Sequence, residues 1–217
     1  MILRRFEIYS FDGPPEAVEK FAAAARDCAR FIPEVLHSAI GRFTGSTPLN
    51  FAWEQAYASP ESYCRYMEHP FHAAMLDRYL MIDSPECIST DNGLGVGLIG
   101  YRCETPEYFL PQGARRVIAM RLAEGAEDAF AKIAAGELGW GGMILSVFKD
   151  NYFGSRWFDA ESIVDPNPMY SNIWEQGFET LAAAQAYGEP WRKATDGMIE
   201  AMVEVAYELE PGYGYYD

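Results

Sequence analysis

Apolar and polar residues alternate loosely over Leu3–Phe11, the pattern of a strand with one face turned inward, and Asp12-Gly13-Pro14-Pro15 ends it. Ala17, Phe21, Ala24, Ala25 and Cys28 then recur at helical spacing, so a helix is predicted from Pro15 or Glu16 through Phe31, with Pro33 beyond its end. Val35–Phe43 reads as a second strand. Asn50–Ala58 reads as a third, with Phe51, Trp53, Gln55 and Tyr57 on one face and Asn50, Ala52 and Glu54 on the other. Ser59-Pro60-Glu61 opens a helix that runs to about Met67, through a serine cap, a proline at the first helical position and an acid in the first turn. Pro70 interrupts it, Phe71–Met81 resumes it, and Gly93–Cys103 is a fourth strand.

The same order returns in the second half. Strands are predicted near Arg115–Leu122, Met143–Lys149, Asn172–Phe178 and Val203–Leu209, with helices over Glu127–Leu138, Thr180–Gly188 and Trp191–Met202. The insertion 150–171 is long for a bare loop and reads as a lid or binding loop. Trp53-Glu54-Gln55-Ala56-Tyr57 recurs as Trp174-Glu175-Gln176-Gly177-Phe178, and a tyrosine follows nine residues later in each half (Tyr66 and Tyr187). Arg4-Arg5 and Arg115-Arg116 open the two halves. The chain is therefore read as one α+β unit used twice, in the β-α-β-β-α-β order of ferredoxin-like domains. The predicted division is 1–104, a linker at 105–112, and 113–217. Two such sheets can pack through their uncovered faces, which predicts a pseudo-twofold barrel within one chain. That makes the protein either a monomer with an internal pseudo-dimer or a homodimer. Glu54 and Glu175, on the faces opposite the aromatics, are expected to pair with the opening arginines.

Composition narrows the function. The formal charge of −15 argues against nucleic acid and against anionic membrane surfaces. Aromatics reach 15%, enough to line a pocket for a small molecule as well as a core. The start of the chain lacks a signal-peptide pattern and no apolar run reaches spanning length, so a cytoplasmic protein is expected. Its four cysteines, without CxxC spacing, are read as reduced and mostly buried thiols. The glycine-rich stretches at 93–100 and 139–142 lack the features of a phosphate loop.

All three histidines, His37, His69 and His72, lie in the first half. His69 and His72 flank Pro70, a spacing too sparse for a metal, and no metal site is expected. An imidazole can exchange a proton near neutral pH, and Tyr66 lies six residues before His72. An unbroken helix would point these two side chains apart, whereas the break at Pro70 allows them to meet. Two readings follow from spacing alone: a Tyr66–His72 acid–base pair, or a helix-capping His69 beside a packing His72. Trp53, Tyr57 and Phe51 either line a cavity or fill the core, and His37 can reach the same cavity from the second strand. Arg192, standing where His72 stands in the first half, is read as a surface arginine or as a carboxylate ligand.

Tyr66-Met67-Glu68-His69-Pro70-Phe71-His72 resembles the Tyr-x-x-His-Pro-x-His segment of the stress-responsive α/β-barrel (Dabb) domain family, which includes polyketide cyclases of the olivetolic-acid type. The resemblance covers the first half by motif and element order, and the second only by shape and repeat. It implies a dimeric α+β barrel, no cofactor, and Tyr66 and His72 as the catalytic pair. Trp53, Tyr57, Phe51, His37 and His69 are read from their positions as the residues around a substrate. The expected function is a cofactor-independent lyase, cyclase or isomerase acting on a small aromatic or carbonyl compound. The alternatives are a non-catalytic binding or stress-response protein of the same fold and, third, a haem- or oxygen-using relative of the barrel.

Overall fold

A computed structural model describes residues 2–43, 49–81, 83–89, 99–103, 113–134, 143–148 and 172–214. The chain is α+β and divides into two compact units. Unit 1 holds the residues up to 106 and those from Leu209 onward, and unit 2 holds the described residues from 113 to 208.

Unit 1 runs β1 (Ile2–Tyr9), α1 (Pro15–Phe31), β2 (Val35–Arg42), β3 (Phe51–Tyr57) and α2 (Pro60–Glu68). A broken helix follows, made of α3 (Pro70–His72), a π-helical turn (Ala73–Asp77) and α4 (Arg78–Leu80), and then β4 (Ile99–Cys103). Its strands lie in the order β4-β1-β3-β2, with β1 antiparallel to both β3 and β4. This is the ferredoxin-like order, in which the hairpin partner of β2 inserts beside β1. The core lies under the helices. Phe21 of α1 meets Phe51 and Trp53 edge-on, with ring centroids 5.6 Å from each. Cys28, fully buried in the same layer, has its thiol pushed up to about 12 by burial, which makes it inert. Cys64 and Cys87 are free and only half-buried, so the expectation of mostly buried thiols fails for these two, which sit on or near the outer helices.

Unit 2 runs β5 (Ala114–Leu122), α5 (Glu127–Ala134), β6 (Met143–Phe148), β7 (Asn172–Phe178), α6 (Leu181–Ala186), α7 (Gly188–Ala194) and β8 (Ile199–Gly214), of which the residues up to Glu208 belong to this unit, with strand order β8-β5-β7-β6. Phe130, Trp174 and Trp191 anchor its core. The predicted helix over Trp191–Met202 is wrong in its second half. The helix stops at Ala194, Gly197 adopts φ 74°, and β8 has begun by Ile199. Alanine and methionine in this stretch suggest helix. The alternation Ile199, Ala201, Val203, Val205, Tyr207 has period two, and pairing with β5 decides the outcome. The insertion 150–171, the linker 105–112, and the first part of the strand predicted at 93–103 lie outside the described residues. Among the described residues, no helix is long and apolar enough to cross a membrane.

Gly113 marks the entry to β5. Its φ is 93°, and a Cβ there would meet the Phe178 carbonyl oxygen at 2.3 Å. Gly113→Ala is expected to cost about 1–3 kcal/mol of stability, since neither backbone segment can yield. Chemical denaturation checks this, and an unchanged midpoint would show that the loop relaxes freely.

Candidate functional site

The register of β1 on β3 sets Arg5 opposite Gln55 and Glu7 opposite Trp53. Alternation along both strands turns Arg5, Glu7, Tyr9, Gln55 and Tyr57 toward the helices. Their polar ends gather under α2. Arg5 Nη2 lies 2.6 Å from Glu7 Oε1, and Arg5 Nη1 donates to Gln55 Oε1 at 3.4 Å. The Arg5 guanidinium stands 5.1 Å from the Tyr63 ring. Gln55 Nε2 donates to the Tyr66 hydroxyl at 3.1 Å. Tyr57, Tyr63 and Tyr66 pack against one another with centroids 5.2–5.9 Å apart.

The break at Pro70 completes the group. Ser59 caps α2 by accepting from the Ser62 N–H, and the helix ends at Glu68. His69 is extended, with φ −71° and ψ 134°, as a residue before proline prefers. Its Nδ1 accepts from the Phe71 N–H at 3.1 Å, so this histidine caps the next helix. The chain then turns back and His72 meets Tyr66, with centroids 4.4 Å apart and ring planes 67° to each other. Both rings are buried, at 2% and 0% exposure. The π-helical winding after His72 brings Asp77, five residues on, to 3.3 Å from His72 Nδ1, without hydrogen-bond alignment.

Among the described residues, three buried polar atoms of this group have no hydrogen-bond partner: Glu7 Oε2, Tyr57 Oη and His72 Nδ1. Burial raises the Glu7 carboxyl above its ordinary value, although Arg5 and Tyr9 work against the shift. Burial likewise holds Tyr57 and Tyr66 well above the usual phenol range and Tyr63 at about 12. Arg5 stays charged. Burial opposes its charge, and Glu7 and the surrounding phenols more than offset that. Tyr66 is therefore a neutral phenol whose oxygen already accepts from Gln55, which leaves its own proton free to donate.

The expected site residues separate into three places. Tyr66, His72 and Tyr57 meet in the polar group. Phe51 and Trp53 share the same face but fill the core beside α1, where the Trp53 indole N–H donates to Ser38 Oγ at 2.9 Å. His37 departs from expectation, since it occupies the opposite face. Its Nε2 lies 2.8 Å from Glu54 Oε1, and Arg4 reaches the other carboxylate oxygen at 3.8 Å. The cause is a register shift between Val35 and His37, where a bulge turns every later residue of β2 over. His69, half-buried, is spent on its cap. Arg5, Glu7 and Tyr63 were missed. The signal for Arg5 was present, because a pair of arginines opens each half ahead of the repeated glutamine.

No family model matches the chain, and no curated protein matches it. Solved structures do resemble it. A chlorite dismutase from Candidatus Nitrospira defluvii, in complex with imidazole, is 10% identical over 97% of this chain and 91% of its own, with a TM-score of 0.58. A provisionally assigned monooxygenase from Fusobacterium nucleatum is 11% identical over 98% and 93%, with a TM-score of 0.56. Another, from Lactobacillus acidophilus, is 8% identical over 97% and 93%, with a TM-score of 0.51. At such identities the likeness carries the fold alone. It corrects two expectations. The resemblance to the Dabb family holds only as a ferredoxin-like open-barrel fold shared with these proteins. The cofactor-independent lyase, cyclase or isomerase is withdrawn, because the matching structures are those of redox proteins. What this chain is similar to is the fold of chlorite dismutases and monooxygenases.

Proposed function

We propose that the protein is an oxidoreductase acting on a small molecule, and that the Arg5–Gln55–Tyr66–His72 group of unit 1 binds the substrate and handles its proton. The observation that carries this reading is the 4.4 Å apposition of Tyr66 and His72 beside a charged arginine, inside a buried group that retains unsatisfied hydrogen-bonding atoms. Arg5 and the Tyr66 hydroxyl suit an oxygen-rich guest, and His72 suits delivery or uptake of a proton. The fold relatives supply the reaction class.

Haem is the group this fold implies, and the described residues do not fit it. A haem iron takes an axial side-chain donor, often a histidine, at the wall of a cavity. His37 is bound to Glu54, His69 caps α3, and His72 is packed against Tyr66. A hollow of about 570 Å³ between α1 and the 70–80 segment is lined by Phe31, Phe71, Met75 and Tyr79. A second, of about 250 Å³, lies beside α7 and the start of β8. Neither has a histidine in its wall, so no step is derived through that group.

We also infer that the two halves, bounded near 1–104 and 113–217, are two copies of one ferredoxin-like unit. The recurrence of register supports it: Arg5 faces Gln55 as Arg116 faces Gln176.

The functional reading is tested by assaying oxygen release from chlorite and oxygen uptake with a panel of phenols, using wild type and His72→Gln. Turnover by wild type and its loss in the variant is the expected result. Equal rates in both would remove His72 from the chemistry.

A further inference from the structure

Unit 2 keeps the arginine and glutamine of unit 1 but changes what surrounds them. Ile118 stands where β1 has Glu7, so Arg116 has no acid two residues on. Its charge is met instead by Glu204 of β8, at 2.8 Å from Arg116 Nε. The second oxygen of Glu204 accepts from Arg192 Nη1 at 2.6 Å. Two guanidinium cations therefore share one carboxylate. Among the described residues, Glu204 is the carboxylate that meets Arg116, and it is shared with Arg192. Burial of so poorly matched a cation is costly unless a counter-charge arrives.

The hydrogen bonds tell the same story. Arg116 Nη1 donates to Gln176 Oε1 at 2.8 Å, and the guanidinium stands 5.1 Å from the Trp191 ring. Arg116, Gln176 and Trp191 are fully buried, yet Arg116 Nη2, Gln176 Nε2 and Trp191 Nε1 have no acceptor among the described residues. All three atoms can only donate, so whatever satisfies them must accept. One of the three donors belongs to a guanidinium, so an anion suits them, and a planar carboxylate can span the arginine and the glutamine.

We propose that unit 2 holds a carboxylate-binding site at Arg116 Nη2, Gln176 Nε2 and Trp191 Nε1, entered from the side of the half-exposed Arg192. One carboxylate oxygen takes the arginine and the other the glutamine, with the indole as a third donor. Gly188 helps hold this entrance open, since a Cβ there would meet the Arg192 guanidinium nitrogens at 3.0–3.1 Å and Glu204 at 3.2 Å. The site is independent of the unit 1 group and stands whether or not that group turns over a substrate.

The test is calorimetric titration of the whole chain with sodium formate and sodium acetate, against sodium chloride at equal ionic strength, with sodium sulfate as the tetrahedral arm. Saturable formate and acetate binding, tighter than sulfate, is expected. Trp191→Phe keeps a ring but removes the donor, and should weaken formate by about tenfold. Glu204→Gln removes the competing carboxylate, and should tighten formate by about tenfold or more. A gain of affinity cannot arise from misfolding, so this variant decides the matter if Trp191→Phe fails to fold. No response beyond chloride, tighter sulfate than formate, an unchanged affinity in a folded Trp191→Phe, or weaker binding in Glu204→Gln would each overturn the proposal.

Discussion

Arg5→Met lowers the folding free energy by about 3–5 kcal/mol at neutral pH, the scale for breaking a buried ion pair on one side only. Glu7 is left behind with a side chain that is 2% exposed, and one of its oxygens already lacks a partner. Its carboxyl is raised even with Arg5 present, and burial is the first cause. The sign of the pH dependence follows. A native carboxyl raised above its unfolded value binds the extra proton in the folded state, so stability falls as pH rises from the unfolded value through the folded one. The Arg5→Met penalty is therefore full above the folded pKa of Glu7 and shrinks as acid protonates it. Adding Glu7→Leu should restore most of the loss, since an apolar pair of similar volume carries no desolvation cost. Urea denaturation of the two variants across pH measures this, and a pH-independent penalty that Glu7→Leu does not repair would contradict it.

The second large effect is catalytic. Tyr66→Phe should reduce turnover of any chlorite or phenol substrate accepted by wild type by about a hundredfold or more, the usual loss for one positioned donor. His72→Gln should lose a similar amount. Because the two rings are in contact and serve one proton path, Tyr66→Phe/His72→Gln should fall little below either single variant. Multiplicative losses in the double variant would mean that the residues act separately. Tyr66 is held well above the usual phenol range, so its donor persists into mildly alkaline solution, and an alkaline loss of rate below about pH 10 would have to come from another group. The fold should survive Tyr66→Phe, because only Gln55 loses an acceptor.

Several of these features were legible in the sequence. The repeated Trp-Glu-Gln phrase marked β3 and β7, and Pro70 marked the turn that brings His72 back to Tyr66. The chemistry of β1 was less visible. Every described position of β1 from Leu3 to Tyr9 is buried, so the alternation that normally reveals a strand's two faces is blurred, and nothing in it marks Arg5 and Glu7 as an inward charge pair. His37 was lost to one inserted residue, whose bulge no local pattern announces. Residues 195–202 were misread because composition there favours helix, while the strand that claims them lies some 80 residues earlier. The reaction class was not written in the motif at all, since one scaffold carries many chemistries.

The two arginines also differ in how long each must wait. Arg5 finds its carboxylate two positions along its own strand, whereas Arg116 depends on a residue 88 positions later. As the nascent chain emerges, the first half can neutralise its interior early. The second holds that cation without its carboxylate until β8 is made, so its folding waits on β8.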